Sequence, residues 1–170
     1  VGRVSCDVLV NCAGMWGNEV GQMCGVNIPL HAAEHFYIVT EPIPALPQKL
    51  PVVREPSACT YYKEDAGKLL VGIFESNAKP WGMDGIPEDF EFESLLWDQE
   101  HVEPQLELAM QRIPLLKETG VQTFLNGPES FTPDNRYLLG PVPELPNFFV
   151  AAGFNSIGIQ SAGGVGKVLA

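Results

Sequence analysis

The stretch VAAGFNSIGIQSAGGVGKVLA, residues 150–170, decides the fold because a short apolar strand runs directly into a glycine-rich helix. Its small residues recur at every fourth position and therefore share one helix face: Gly158, Ala162, Gly166 and Ala170. Each glycine inside a helix costs about 1 kcal/mol relative to alanine, so a face of this kind indicates a close neighbour. The pattern leaves two neighbours open, namely a tightly packed backbone or a flat ligand.

The Gly166-Lys167 pair does not form a phosphate-binding loop. A Walker A loop needs a glycine five positions before the Gly-Lys pair and a Ser or Thr after it. Here Ser161 and Val168 occupy those positions. A dinucleotide-binding Gly-x-Gly-x-x-Gly pattern fails as well, because Leu169 stands at its third glycine.

The closing helix is predicted to begin after Asn155 or Ser156, since either side chain can cap a first turn. The first turn of a helix offers N–H groups without intrahelical partners, together with the positive end of the helix dipole. This end of the segment therefore suits a phosphate or an anionic ring oxygen.

The rest of the chain predicts a mixed α/β fold in which a meander of strands with one long helix lies between two terminal βα pieces. Predicted strands cover residues 6–14, 28–43, 51–55, 58–64, 68–76, 121–131 and 147–153, the first of them a buried strand of a parallel sheet. Predicted helices cover 15–25, which Gly25 is expected to end, and 91–112, which Pro104 is expected to kink or divide. Asp65-Ala66-Gly67 predicts a hairpin turn. Residues 77–90 predict a loop, interpreted as a candidate lid, and residues 132–146 predict turns.

Composition limits the function. The net charge of -11 disfavours a nucleic-acid partner, and no apolar run is long enough to cross a bilayer. The four cysteines and three histidines show no zinc-binding spacing, so we expect no metal and reduced, mostly buried thiols. The chain starts at Val1 without an initiator Met and ends at Ala170 inside a helical pattern, so we expect an excised piece of a larger protein.

Three runs in the right order carry a resemblance to a known family: VLVNCAGMWG (8–17), GPESFTPDNRYLLG (127–140) and FFVAAGFNSIGIQSAGGVGK (148–167). Together they resemble the D-amino-acid-oxidase-like FAD-dependent oxidoreductase superfamily, and more narrowly its sarcosine and dimethylglycine dehydrogenase branch. The run PLHAAEHFYIVTEPI (29–43) is also similar to the regulatory subunit of pyruvate dehydrogenase phosphatase, a relative of that branch.

The resemblance implies a domain organisation, because in that superfamily a β-rich substrate domain interrupts the FAD-binding domain. Residues 1–27 would belong to the FAD-binding domain, 28–131 to the substrate-binding domain, and 132–170 to the returning strand and helix of the FAD-binding domain. The N-terminal βαβ unit that grips the FAD diphosphate is missing from this sequence. FAD is therefore expected in the full-length protein and not in this fragment alone.

The resemblance also implies site residues. The cofactor-binding candidates are Asn11, Ala13, Gly14, Trp16, Pro133, Asp134, Asn155, Ser156, Gly158 and Ile159. The catalytic candidates are His35 and Tyr61, and the substrate-binding candidates are Tyr62 and Arg54. Many relatives place an arginine at the position of Glu129 to bind a substrate carboxylate, so carboxylate recognition is left to Arg54 or Arg136.

The implied activity is oxidation of an N-methylated amino acid by hydride transfer from the N-methyl carbon to flavin. The implied partners are an N-methyl amine substrate and, in the full-length protein, an electron-transfer partner or a folate domain. The expected compartment is the bacterial cytoplasm or the mitochondrial matrix, with no nucleic acid and no membrane. Two alternatives stay open: a non-catalytic regulatory flavoprotein subunit, and an interaction domain whose glycine helix only packs.

Overall fold

The computed structural model describes residues 2–170, which form two compact units. The first unit contains the chain up to Ala33, residues 80–90 and residues 128–170. The second unit contains residues 34–79 and 91–127. The domain boundaries predicted at residues 27 and 131 concern the complete protein and stay predictions.

The strands are β1 (Leu9–Asn11), β2 (His31–Thr40), β3 (Val53–Glu55), β4 (Thr60–Asp65), β5 (Lys68–Ile73), β6 (Pro80–Trp81), β7 (Val121–Phe131), β8 (Leu138–Pro141) and β9 (Phe148–Ala152). The α-helices are α1 (Gly17–Met23), α2 (Gln99–Arg112) and α3 (Gly158–Leu169). The predicted mixed α/β architecture is confirmed, since antiparallel ladders dominate and helices are few. Two short strands, β6 and β8, lie where the sequence predicted only loop and turns.

The first unit is built on a three-stranded sheet in the order β1-β9-β8. β1 pairs with β9 in parallel, as predicted, and β8 pairs with β9 antiparallel. The buried core of this unit consists of Val26, Ile28, Val142, Phe148, Val150 and Ala152. The predicted burial of β1 is wrong: Leu9 and Val10 are 38% and 45% exposed, because β1 is the edge strand of this sheet.

Helix α1 packs through glycines and not through its larger residues. Met23 is 83% exposed, whereas Gly17 and Gly21 are buried. A Cβ atom added at Gly21 would lie 2.7 Å from Ile28 Cγ1 and 2.8 Å from the Val26 carbonyl oxygen. The helix backbone therefore lies directly against the following segment. Gly25 ends the helix as predicted, with a φ of +75° that favours glycine.

The second unit is an antiparallel sheet in the order β3-β4-β5-β2, and α2 packs against it. The predicted hairpin is confirmed: Asp65 pairs with Lys68 across a turn whose residues Ala66 and Gly67 both have positive φ. The main buried cluster consists of Ile38, Ile43, Tyr62, Leu69, Val71 and Ala109.

Helix α2 begins at Gln99, eight residues after the predicted start at residue 91. Asp98 is the N-cap residue, and its side chain accepts a hydrogen bond from the His101 N–H at 3.1 Å. It also forms an ion pair with Lys79 Nζ at 2.7 Å. The Lys79 ammonium group lowers the pKa of the Asp98 carboxyl below its ordinary value. Residues 91–98 form neither a helix nor a strand, and the Leu95 N–H bonds to the Asn126 carbonyl at 2.7 Å. The predicted division at Pro104 is wrong, since the helix continues through it.

The cysteines are less buried than predicted. All four thiols are free, but Cys6, Cys12 and Cys24 are exposed and Cys59 is half-buried. These cysteines lie in or beside edge and loop segments, where apolar neighbours in sequence do not guarantee cover. Within residues 2–170, no helix has the length and apolar character needed to span a membrane.

Replacing Gly21 by alanine tests the close packing of α1. Gly21→Ala is expected to lower the free energy of unfolding by about 1–3 kcal/mol, because the added methyl overpacks against Ile28 and the Val26 carbonyl. The matched control is Gly163→Ala in α3, where an added Cβ meets nothing within 4 Å. That control should raise stability by about 0.5–1 kcal/mol. Urea unfolding of the complete protein measures both, and a Gly21→Ala variant as stable as wild type would contradict this packing.

Candidate functional site

A groove of about 870 Å³ lies in the first unit along α3. We call it the glycine groove, because small residues line much of it: Gly14, Ala151, Gly153, Gly158, Ala162 and Gly166. The ends of β1 and β7, strand β9 and the loop before α3 supply the remaining walls. Its volume is in the range typical of cofactor and small-molecule sites.

The bare face of α3 opens into this groove. All four small residues predicted to share one helix face line it: Gly158, Ala162, Gly166 and Ala170. A Cβ atom added at Gly166 would meet no heavy atom of the described surroundings within 4 Å. Within the described residues, the face is therefore not closely packed against another part of the chain at Gly166. The face borders space that a ligand can fill.

The loop before α3 holds two consecutive non-glycine residues in the left-handed region, Asn155 at φ +49° and Ser156 at φ +70°. Such conformations cost free energy and persist only where other contacts hold them. The Asn155 side chain accepts a hydrogen bond from the Thr132 N–H at 3.0 Å and donates one to the Gly153 carbonyl at 2.7 Å. The Ser156 hydroxyl donates to the Glu129 carboxylate.

These bonds correct the predicted cap of α3. Ile157 occupies the N-cap position and makes no side-chain capping bond. Asn155 and Ser156 do not cap the helix, because their side chains are engaged with β7 and the residues around it. Among the residues described, no side chain therefore closes the start of α3, which lies at the groove.

The structure brings five of the predicted cofactor residues together at the glycine groove: Gly14, Asn155, Ser156, Gly158 and Ile159. Asn11 lies elsewhere. It is 2% exposed, donates to the Gly17 carbonyl at 2.8 Å, and accepts the Ala13 N–H at 3.1 Å. Asn11 and Ala13 therefore shape the turn between β1 and α1 without lining the groove.

Three other cofactor candidates also lie outside the groove lining. Trp16 ends a short 3-10 helix, Gly14–Trp16. Pro133 and Asp134 lie in the exposed turn after β7, where Asp134 accepts the Arg136 N–H at 3.1 Å. Val165 and Leu169, which were not among the predicted cofactor residues, line the groove beside the small residues. Their spacing from Ala162 on the same helix was the signal that could have found them.

Ser130 is a further missed residue, and it tests whether a flavin suits this groove. Its hydroxyl oxygen is buried and has no hydrogen-bond partner among the described residues. Buried polar atoms are nearly always paired, so an unpaired hydroxyl in a groove wall indicates a ligand with polar atoms. A flat ring with a polar edge suits this groove, because the ring can lie on the bare face of α3 while its polar edge forms a hydrogen bond with Ser130. The residues present therefore fit a flavin ring.

The second unit carries a separate group, the His35 cluster, made of His35, Arg54, Tyr61 and Phe74. His35 Nε2 lies 3.3 Å from the Tyr61 hydroxyl oxygen. The Phe74 ring centroid lies 4.8 Å from that of His35 and 5.0 Å from that of Tyr61. The Arg54 guanidinium stands 4.7 Å above the Phe74 ring. The structure thus brings three of the four predicted catalytic and substrate-binding residues together.

A glycine makes room for the Tyr61 ring. Tyr61 pairs with Gly72 across β4 and β5, and a Cβ atom at Gly72 would lie 1.8 Å from Tyr61 Cζ. The ring therefore lies over a position that only glycine permits. Neither Gly72 nor Phe74 was predicted, although they share one strand face with period two.

Tyr62 is the exception among the predicted substrate residues. Side chains alternate along a strand, so Tyr62 points away from the face that carries Tyr61. Its ring is buried in the core under α2, and its hydroxyl lies 2.9 Å from Thr60 Oγ1. The structure therefore assigns Tyr62 to the core and not to the His35 cluster.

The family profile described as "DAO: FAD dependent oxidoreductase" matches residues 1–170. The chain belongs to this family. It is 41% identical over 169 residues to human mitochondrial sarcosine dehydrogenase, covering 99% of this chain and 18% of that protein. Mouse mitochondrial dimethylglycine dehydrogenase is 39% identical over 176 residues, covering 99% of this chain and 20% of that protein. The mouse pyruvate dehydrogenase phosphatase regulatory subunit is 38% identical over 172 residues, also covering 99% of this chain and 20% of that protein.

The chain thus spans about a fifth of the length of these relatives. A solved structure, that of iminodiacetate oxidase from Chelativorans sp. BNC1, has the same fold with a TM-score of 0.75 at 20% identity. The match covers 99% of this chain and 42% of that one. The resemblance to the DAO family predicted from the three sequence runs is confirmed, and membership implies FAD in the complete protein.

Filling the bare face of α3 tests the glycine groove as a flavin site. Gly166→Leu is expected to lower the FAD affinity of the complete protein by about tenfold or more, or about 1.4 kcal/mol, because the side chain enters the groove. Gly163→Leu is the matched control, since Gly163 is exposed on the same helix and does not line the groove. Flavin absorbance after dialysis against graded FAD measures both variants, and equal FAD binding by the two would contradict the assignment.

Proposed function

We propose that the complete protein oxidises N-methylated amino acids of the sarcosine or dimethylglycine kind, with FAD held in the glycine groove. The observation that carries the proposal is the bare face of α3 beside the unpaired Ser130 hydroxyl, in a chain of the DAO family. The closeness of the chain to sarcosine and dimethylglycine dehydrogenases supports the choice of substrate class.

The proposal gives the groove residues the task of holding a flavin ring. Gly158, Ala162 and Gly166 offer a flat, side-chain-free surface. The uncapped start of α3 offers N–H groups and the positive end of a helix dipole, which favour negative charge on a ring oxygen. Ser130 offers a hydroxyl for a hydrogen bond. Bound there, FAD supplies a two-electron acceptor for a hydride.

The proposal gives the His35 cluster the task of handling the substrate. An imidazole can accept the proton of a substrate ammonium near neutral pH, which produces the neutral amine that is oxidised. The Tyr61 hydroxyl at 3.3 Å orients the His35 ring. The exposed Arg54 guanidinium offers a positive charge for the substrate carboxylate, and the Phe74 ring beneath it limits its motion.

A second candidate function is a regulatory flavoprotein subunit without turnover. The mouse pyruvate dehydrogenase phosphatase regulatory subunit is nearly as similar to this chain as the two dehydrogenases are. The groove and the His35 cluster would then keep their architecture while the complete protein performs no oxidation. An electron-transfer partner, a folate domain and the compartment, bacterial cytoplasm or mitochondrial matrix, stay predictions.

Anaerobic addition of substrate to the complete protein separates the two candidates. Sarcosine or dimethylglycine is expected to bleach the visible flavin absorbance, because hydride transfer reduces the flavin. Glycine, which has no N-methyl carbon, is the matched control and should leave the spectrum in its oxidised form. A flavin spectrum that no N-methylated amine bleaches would contradict the proposed oxidation of these amines and favour a regulatory subunit without turnover.

Replacing His35 tests the role given to its cluster. His35→Asn is expected to lower kcat/KM by about 10²–10⁴, the range typical of a lost proton acceptor. The loss should be largest at low pH, where more substrate is protonated. The matched control is His31→Asn, since His31 packs against Phe131 in the first unit and lies outside the cluster. Similar pH profiles for both variants and the wild type would refute the role of His35.

A further inference from the structure

A buried carboxylate meets a histidine in the second unit, beside the segment that ends β5. The Glu75 side chain is 5% exposed, and its Oε1 lies 3.0 Å from His101 Nε2 in the first turn of α2. A carboxylate only accepts hydrogen bonds, so the Nε2–H group of His101 is the donor. Because a carboxylate removed from water needs a partner, this bond ties α2 to the segment that carries Glu75. The proposed oxidation uses neither residue.

The segment that carries Glu75 also carries Phe74 of the His35 cluster. Strand β5 ends one residue before Phe74, so Phe74 and Glu75 lie beyond the last residue that the sheet ladders pair. A backbone hydrogen bond, from the Phe74 N–H to the Cys59 carbonyl at 2.7 Å, holds this end of the strand. The bond from His101 to Glu75 is a second attachment, and it acts on the residue next to the Phe74 ring.

His101 also contacts the other strand that supports the cluster. Its ring centroid lies 5.5 Å from that of Phe36, the residue that follows His35 in β2. Phe36 and Ile73 pack with Val102 of α2. Since side chains alternate along a strand, Phe36 points away from the face that carries His35. His101 therefore lies on the opposite side of the sheet from the His35 cluster, where it contacts the chain neighbours of two cluster members.

We propose that His101 is a positioning residue for substrate binding. Its bond to Glu75 fixes the direction of Phe74, and the Phe74 ring limits the motion of the Arg54 guanidinium 4.7 Å above it. A guanidinium that is already held in place loses less conformational entropy when it binds a carboxylate. This inference rests on the proposed function, because it takes Arg54 as the partner of the substrate carboxylate.

Two amides of different length at position 101 separate the bond from the loss of the imidazole ring. A glutamine side chain can place its N–H near the position of His101 Nε2, whereas an asparagine is one methylene shorter and does not reach Glu75. His101→Gln should therefore keep Phe74 in place, and His101→Asn should release it. Glu103→Asn, at an exposed position on the same helix, is the matched control for the cost of asparagine in α2.

A fluorine label reports the position of Phe74 without any ligand. In the complete, FAD-loaded protein, para-fluorophenylalanine replaces Phe74, and its fluorine NMR resonance is compared between variants. His101→Gln and Glu103→Asn should keep the resonance of the wild type. His101→Asn should shift it toward that of the free amino acid, because the ring moves away from the rings of His35 and Tyr61.

Steady-state kinetics test whether His101 acts through Arg54. With sarcosine as the substrate, His101→Asn should raise KM about threefold to tenfold and change kcat little, because it weakens the binding of substrate and transition state alike. Arg54→Gln removes the guanidinium and should raise KM by itself. In the Arg54→Gln background, His101→Asn should therefore raise KM no further.

A fluorine resonance that His101→Asn leaves unchanged would overturn the inference, and so would an equal rise in KM with and without Arg54. If His101→Asn does not fold, Phe74→Leu removes the ring beneath Arg54 instead, and an unchanged KM in that variant would overturn the inference as well. Bleaching by sarcosine together with any of these results would leave the proposed function standing. A resonance that moves in His101→Asn and stays in His101→Gln, without any bleaching, would support the hold of His101 on Phe74 and reject the proposed oxidation.

Discussion

The attachment of the loop before α3 to the end of β7 is the constraint on which the glycine groove depends. Asn155 bonds to Thr132, and Gly153 must be a glycine, because a Cβ atom there would lie 2.4 Å from Thr132 Cγ2. These contacts hold two left-handed residues in succession and set where α3 begins. The start of the helix in turn sets which of its faces meets the groove. A helix beginning one residue earlier would turn that face by about 100°.

Glycine serves three different purposes in this chain, and each comes from the missing side chain. At Gly21 the absent Cβ lets a helix backbone lie against its own chain. At Gly72 it leaves room for the ring of Tyr61. At Gly166 it leaves a helix face open to a groove. Local sequence alone does not separate these uses, because the distinguishing atoms belong to residues distant in the chain.

The prediction from sequence was strongest where a local pattern had a local cause. The period of four in α3, the Asp65-Ala66-Gly67 hairpin and the Gly25 helix end are all present. The prediction failed where a tertiary contact competed with the pattern. Residues 91–98 were predicted to be helical, but the Leu95 N–H bonds to the Asn126 carbonyl of β7 and the segment forms no helix, leaving Leu96 91% exposed. Asn155 was a plausible cap, but its amide is used by Thr132 and Gly153.

The sequence by itself determined the family, the mixed α/β architecture and the bare face of the last helix, because ordered motifs and helical spacing are properties of the chain alone. Tertiary structure alone decided which candidates stand together. It assigned Asn11 to a turn and Tyr62 to a core, it placed Glu129 and Ser130 in the groove wall, and it joined His35, Tyr61 and Phe74. The physical reason is that strand register and loop hydrogen bonds, formed between distant residues, set the direction of each side chain.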